Sequence, residues 1–475
     1  MGMFRQLIRL EWRLYSRQPA AWLLVGATLV LMSGAGLAGH NWMATQIQSQ
    51  AAARADEAKR LRESQQRITV EIAKLEKENR PLAPVLFGAR HATAIGHYGA
   101  KRYAFLPPAP LSSLVVGDTD VETAQILVSV DPKQFRGQSE MQQPQWLRSG
   151  RFDAAFLIAY VLPLILIAAI GPAVAVDKSG TLQLIASQGM TIWKLALVRV
   201  AVRGLPILLA AVIAMWLIAQ PSAVSVPQML WITLAATAYS LFWMGLAAFL
   251  DARSTNGNLG TLRMVAVWMV FAFALPAVVN SVAVTFSPVD SRSELEISLR
   301  EAQQDVWTNT GDRVMKAFFA EHTEIDPKEL GSLERFMISQ MRMVLEEEAR
   351  VQPLEMRYAQ QRLDQARLAR WLRFISPVLM IQFTLEESAG TGVGRRTAYQ
   401  LQFSRYLREW QDYFVPRIYN RTPISDVYKT PEFKFVEDPW YTPLLRTAPD
   451  IALLGLLTTG IILFALRAYH KMPIV

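Results

Sequence analysis

Side chains able to do covalent or metal chemistry occur in this chain, but not at the spacings such chemistry needs. The five histidines, His40, His91, His97, His322 and His470, are scattered. His91 and His97 lie six apart in a Gly/Ala-rich loop with no third ligand indicated, and no H-E-x-x-H helix occurs. The 475 residues include no cysteine, which excludes disulfides, thiolate metal sites and a cysteine nucleophile. No G-x-S-x-G elbow presents a serine. Nor is there a G-x-x-x-x-G-K-[ST] phosphate loop: Lys178-Ser179-Gly180 has the order reversed and lacks the glycine array. Residues 389–396 contain G-x-G-x-G followed by Arg395 and Arg396, but no clear strand precedes them, and a turn between helices is the better reading. What remains is mechanical. Residues 177–190 form a short amphipathic segment, polar at Asp177 and apolar through Leu182, Leu184 and Ile185, with Gly180 and Thr181 at its head. Wedged between two long apolar runs, it is expected to form a short helix between two spans.

The elements that hold this segment are apolar blocks of membrane-spanning length. The chain is 52% hydrophobic, and crossing roughly 30 Å of hydrocarbon takes about 20 apolar residues. Six stretches qualify: 20–39, 154–176, 195–219, 228–250, 262–286 and 449–467. Pro163, Gly171, Pro172, Pro206 and Pro276 fall inside them, which spanning helices tolerate. The fold class expected is an all-α polytopic membrane protein with six transmembrane helices.

Orientation follows from the short loops. Arg5, Arg9, Arg13 and Arg17 precede the first span, Lys178 and Lys194 follow the second, and Arg199 and Arg203 sit just inside the third. Arg253 and Arg263 flank the loop 251–261, and Arg467 and Lys471 close the chain, whereas 220–227 carries no charge. This asymmetry predicts cytoplasmic termini, with 177–194 and the tail 468–475 on the same side. The net charge of +9 thus belongs to anionic lipid headgroups. No basic stripe with interleaved aromatics suggests nucleic acid. The length of the first apolar run argues against a cleaved signal peptide. Within 1–19, Phe4, Leu7, Ile8, Glu11 and Tyr15 fall at helical spacing, as in a helix lying on the inner membrane surface.

Two long stretches, 40–151 and 287–448, fall outside the cytoplasm on this reading. The first opens with a helical pattern over 51–79, striped by Leu61, Ile68, Ile72 and Leu75, and becomes strand-like at 125–130. The second is mainly helical (294–307 and 333–375) and ends in a Pro-rich aromatic stretch. Its Trp410, Tyr413, Phe414, Phe433, Phe435, Trp440 and Tyr441 read as core in preference to a ligand platform. Together the two stretches are expected to build a mainly helical extracytoplasmic domain.

Ion-driven transporters keep charges at mid-membrane. Here Asp153, Asp177, Asp251 and Asp450 all sit at the ends of spans. The deepest polar groups, among them Thr233, Thr237, Ser240 and Asn280, are candidates to line a path, and equally candidates to bind helices to one another.

Four passages together resemble the permease subunits of ABC-2 type transporters, in the Gram-negative branch whose long periplasmic insertions carry a domain of unknown function. They are 103–120 (YAFLPPAPLSSLVVGDTD), 149–163 (SGRFDAAFLIAYVLP), 177–197, and 373–414, which holds a Ser-Pro…Gly-Thr-Gly passage. The resemblance implies a type V exporter-like subunit in the inner membrane, working as a dimer with a second permease, identical or paralogous. It also implies two copies of a cytoplasmic ABC ATPase that bind the ATP and Mg, so that this chain holds no cofactor and catalyses nothing itself. By position, Asp177, Gly180, Thr181, Leu182, Leu184 and Ile185 match the ATPase-coupling motif, and Phe4, Leu7, Ile8 and Glu11 the surface helix. The family usually has glutamates two and four residues before the glycine; this chain has Lys178 and Val176 there. The rival readings are a membrane-anchored interaction or sensing protein that engages a periplasmic partner, and a membrane enzyme, for which no nucleophile or metal site can be named.

Overall fold

The computed structural model describes residues 2–83, 88–117, 124–130, 152–171, 191–219, 225–254, 257–309, 311–323, 328 and 331–471. Helix α1 (Gly2–Ser16) is followed at once by α2 (Pro19–Lys77), which opens on a proline whose fixed φ suits a first helical turn. At 1.5 Å per residue, these 59 residues make a rod about 88 Å long. The first apolar run and the charged helical pattern over 51–79 are thus one element, with no break at residue 40.

A short helix with a π turn, α3 (Ala92–Ala94, then Ile95–Gly99), leads into strand β1 (Arg102–Phe105). It pairs antiparallel with β2 (Gln125–Val128), Arg102 opposite Val128 and Phe105 opposite Gln125. Next come α4 (Ala154–Ile170), α5 (Ile192–Ala219), α6 (Val226–Ala252) and α7 (Gly257–Phe286). The outer helices are α8 (Arg292–Asn309), α9 (Gly311–Glu321), α10 (Ser332–Leu372), α11 (Pro377–Ala389) and α12 (Val393–Tyr419). The chain closes with α13 (Thr442–His470). Among the described residues, five helices are long and apolar enough to cross a membrane: α2, α5, α6, α7 from Leu259, and α13. The protein is therefore mainly helical and built to be membrane-embedded.

The second apolar run, expected over 154–176, is described as far as Gly171, and 172–176 lie outside the described residues. Its helix stops at Ile170, because Gly171 takes φ +49°, a conformation that glycine adopts without steric penalty. Both α4 and α7 carry a π turn, at Leu157–Val161 and Val270–Ala274. Such turns free backbone carbonyls, and in an apolar setting these must find donors. Tyr239 Oη donates to Ala159 O (2.6 Å), Trp268 Nε1 to Tyr160 O (3.1 Å), and Ser376 Oγ to Phe271 O (3.0 Å).

Packing divides the molecule into two main cores. The bundle core gathers α4, α5 and α6 with Met32 of α2 and Leu454 of α13. It also takes in Leu111, Leu114 and Val115, and Val378, Ile381 and Leu385 of α11, although both segments fall in stretches read from sequence as lying outside the spans. The outer core joins Leu61 and Ile68 of the rod to the two strands and to Tyr399, Trp410, Phe414 and Phe433. Trp410 and Phe414 are fully buried there, whereas Trp440 and Tyr441, at the start of α13, are half exposed.

One close approach seats a turn of the bundle core on the rod. A Cβ on Gly39 would lie 2.0 Å from the Ser113 carbonyl oxygen, so the 109–114 turn sits directly on the rod. Backbone cannot rotate aside as a side chain can. Gly39→Ala is therefore expected to cost about 1–3 kcal/mol, the usual penalty of overpacking, read as a lowered Tm in detergent. An unchanged Tm would show that the turn is not seated there.

Candidate functional site

The end of the bundle that carries both chain termini holds a set of buried charges. Helix α1 turns Leu7, Glu11 and Tyr15, one helical face, inward, while Phe4, Ile8, Leu10, Trp12 and Leu14 remain exposed. The expected surface helix is thus two-sided. Its outward apolar residues suit a membrane surface, and its inward face is bolted to α5.

Glu11 makes that bolt. Glu11 is 6% exposed, and its carboxylate pairs with Arg199 Nε at 2.9 Å. One turn further on, Arg203 Nη1 donates to Ile170 O (2.8 Å), the last residue of α4, and Tyr15 Oη donates to Arg203 O (3.2 Å). Burial pushes the Tyr15 phenol up, and the nearby Arg203 charge only partly opposes this. Asp251, at the end of α6, is fully buried and accepts from Tyr469 Oη of α13 at 2.7 Å. Arg203 lies within electrostatic reach of Glu11, Arg199 and Asp251. Two arginines and two carboxylates therefore tie α1, α4, α5, α6 and α13 into one node. The segment between Gly171 and Thr191 follows the α4 end held by Arg203 and leads into α5, about two turns before Arg199. Asp177, Gly180, Thr181, Leu182, Leu184 and Ile185 belong to that segment and lie outside the described residues.

At the opposite end, α4 and α7 expose a ladder of rings. Phe152, Phe156, Tyr160 and Phe273 follow one another with centroids 6.0, 5.4 and 6.4 Å apart. Tyr160 Oη donates to Gln382 Oε1 (3.1 Å), and Gln382 Nε2 donates to Glu386 Oε1 (3.0 Å), so a polar chain from α11 backs the rings. This face offers stacking surface and hydrogen bonding side by side, as a contact surface for an amphipathic molecule or a second helix requires.

Of the four nominated path residues, Thr233, Thr237 and Ser240 share α6, and Asn280 lies on α7. Ser240 is fully buried and donates to Ala236 O; Thr233 donates to Met229 O and accepts from Trp216 Nε1, which binds α5 to α6. Thr237 is half-buried on α6, and Asn280 is exposed on α7. Sequence reasoning did not pick out the ring ladder, although Phe152, Phe156 and Tyr160 recur at intervals of four. It also passed over Arg373, which grips Asp450 through two bonds of 2.7 and 2.8 Å. His91 accepts from Thr93 N as a helix cap.

A family profile described as Domain of unknown function (DUF3526) matches residues 292–435, from α8 to the extended segment that holds Phe433 and Phe435. No curated protein and no solved structure matches the chain. The matched region is most of the second outer stretch, and its description assigns no activity.

Proposed function

We propose that this chain is the permease subunit of an ATP-driven transporter of ABC-2 type in a bacterial inner membrane, with both termini cytoplasmic. In this reading α4 is the sixth span, completing a type V exporter-like bundle, and residues 177–190 are the coupling segment pushed by a separate cytoplasmic ATPase. Two copies of that ATPase bind the ATP and Mg. A second permease, identical or paralogous, completes the membrane part, and the substrate is moved across or out of the membrane.

The observation that carries the proposal is the node. A push on the 172–190 segment reaches its two stubs, Ile170 and Thr191, and the Arg203–Ile170 and Glu11–Arg199 contacts convey it to α4, α5 and α1 together. A protein that merely anchored an outer domain has no need to cross-brace the ends of several helices with buried charge. The separate outer core is also what the rival reading of an anchored interaction or sensing protein would need.

Affinity purification in mild detergent separates the two readings. The transporter reading expects a stoichiometric soluble ATPase with measurable hydrolysis, and expects Leu182→Asp with Leu184→Asp to abolish co-purification or uncouple hydrolysis from transport while membrane insertion persists. A chain that purifies alone or with outer partners only, or a double variant that transports normally, overturns it.

A further inference from the structure

Two recesses lie one above the other along the rod α2. The lower is a shallow recess lined by Trp42 and Met43 of α2, by Leu106 and Pro108, and by Tyr399, Arg395 and Arg396. Its lining is largely apolar. Trp42 follows the end of the first apolar run by three residues, the level at which tryptophan marks a membrane boundary. The upper recess, about 610 Å³, is lined by Arg54 and Arg62 of α2, by Tyr103 and Phe105 of β1, and by Tyr428 and Lys434. Pro107 lines both. Gln50, between them on the rod, donates to Leu106 O (2.8 Å) and fastens the partition.

The charges of the upper recess are unequally committed. Arg102 is held by Glu57 (3.1 Å) and by the Thr430 hydroxyl (3.3 Å), and Lys434 faces Glu432 at 3.5 Å. Arg54 instead lies over the Phe105 ring, 4.9 Å from its centroid, and Arg62 spends its Nε on the Ala58 carbonyl of its own helix. Among the described residues of the lining, four cations thus face two carboxylates, and the excess is presented on α2 beside aromatic rings. Met43 and Arg54 are eleven residues apart, about 16 Å along a helix. That is about the depth of one leaflet, half of the ~30 Å hydrocarbon core.

We infer that this track holds an anionic amphiphile lifted from the adjoining leaflet, its apolar part in the recess at Trp42 and Met43 and its anionic head at Arg54 and Arg62. As a statement about binding the inference stands on the two recesses; as a statement about cargo it rests on the transporter reading above. The separation of the recesses matches an amphiphile raised by its own length, and a lipid seated in the bilayer cannot reach the upper one.

The absence of cysteine allows single reporters. Met43→Cys and Ala58→Cys, each labelled with a polarity-sensitive fluorophore, would be placed in nanodiscs of phosphatidylcholine with or without phosphatidylglycerol of the same chains. The chain is used without any ATPase, so the outcome is independent of the coupling proposal. Both reporters are expected to respond to phosphatidylglycerol only. Arg54→Glu with Arg62→Glu should weaken that response at least about tenfold, since a hydrogen bond to a charged group contributes about 1.5–3 kcal/mol and each 1.4 kcal/mol is a factor of ten. Arg54→Lys with Arg62→Lys should retain most of it, which separates lost charge from misfolding. Equal responses to the two lipids, or a charge-reversed protein that still discriminates between them, overturn the inference. Glycerol phosphate displacing the lipid as well as an intact lipid does would also overturn it, by showing that a free phosphate suffices. Lipid binding without a co-purified ATPase would leave this site standing and remove the transporter reading.

Discussion

Glu11→Ala is expected to lower stability by about 3–5 kcal/mol, the cost of leaving a buried charge without its partner. The carboxylate and the guanidinium of Arg199 are 8% and 12% exposed, so little water replaces the lost contact. The bond also joins the first helix of the chain to a residue 188 positions away. The double variant Glu11→Leu, Arg199→Leu should recover most of that loss, because an apolar pair of similar size carries no desolvation cost. If the node transmits force, the recovered double variant will be stable yet poor in transport, since α1 would no longer move rigidly with α5. Thermal unfolding in detergent measures the first quantity, and coupled ATPase and transport assays the second. A single variant as stable as the parent would show that the pair is solvated and the node is not a brace.

Arg373→Ala is expected to have an effect of the same order, larger than that of Asp450→Ala. Both remove the same ion pair, but they abandon different partners. Asp450 is wholly buried, and Arg373 supplies the only two side-chain bonds described for its carboxylate. The guanidinium, by contrast, keeps the Arg370 carbonyl and stands 4.2 Å from the ring centroids of both Phe374 and Phe383. A cation over aromatic faces retains about 0.5–2 kcal/mol of attraction, so Asp450→Ala should cost less by about that amount. Because Arg373 leads directly into α11, its loss should also raise the protease sensitivity of residues 373–389 relative to the rest of the chain. Equal costs for the two variants would mean that the rings contribute nothing.

The parts of the fold that were legible in the sequence are those where one property persists along the chain. The five long apolar helices, the charged stretch of α2 and the strand at 125–128 each show in local hydrophobicity and period, because burial on one face leaves a repeating trace. Where an element begins or ends was harder to read. The rod carries no breaker at residue 40, so a change of solvent was read there as a change of element. Gly171-Pro172 was read as a tolerated interruption, and the described helix ends there. The return of α11 to the bundle core was hidden, since thirteen residues are too few for a span and their apolar face is also what an outer helix would show.

The candidate site was still less legible, because its chemistry lies in pairs distant along the chain. Arg199 and Arg203 were visible as charges inside an apolar run, but nothing local names Glu11 or Ile170 as their partners. Hydroxyls such as Thr233 and Ser240 look alike whether they face a path or bond to their own helix; only packing separates the two. The segment around Gly180–Ile185, the most specific sequence feature, is outside the described residues, so the structure speaks to its foundations alone.

The unbroken rod also acts as a lever whose fulcrum is at the membrane. From Asn41 to Lys77 it extends about 54 Å beyond the apolar run. A tilt of about 5° at its base would carry Lys77 about 5 Å sideways and Arg62 a little under 3 Å, while Trp42 scarcely moves. The other walls of the upper recess are bonded to the rod through Glu57 and Gln65, so a small rocking of one span at the base would carry that recess and its walls sideways together while the lower recess stays nearly in place.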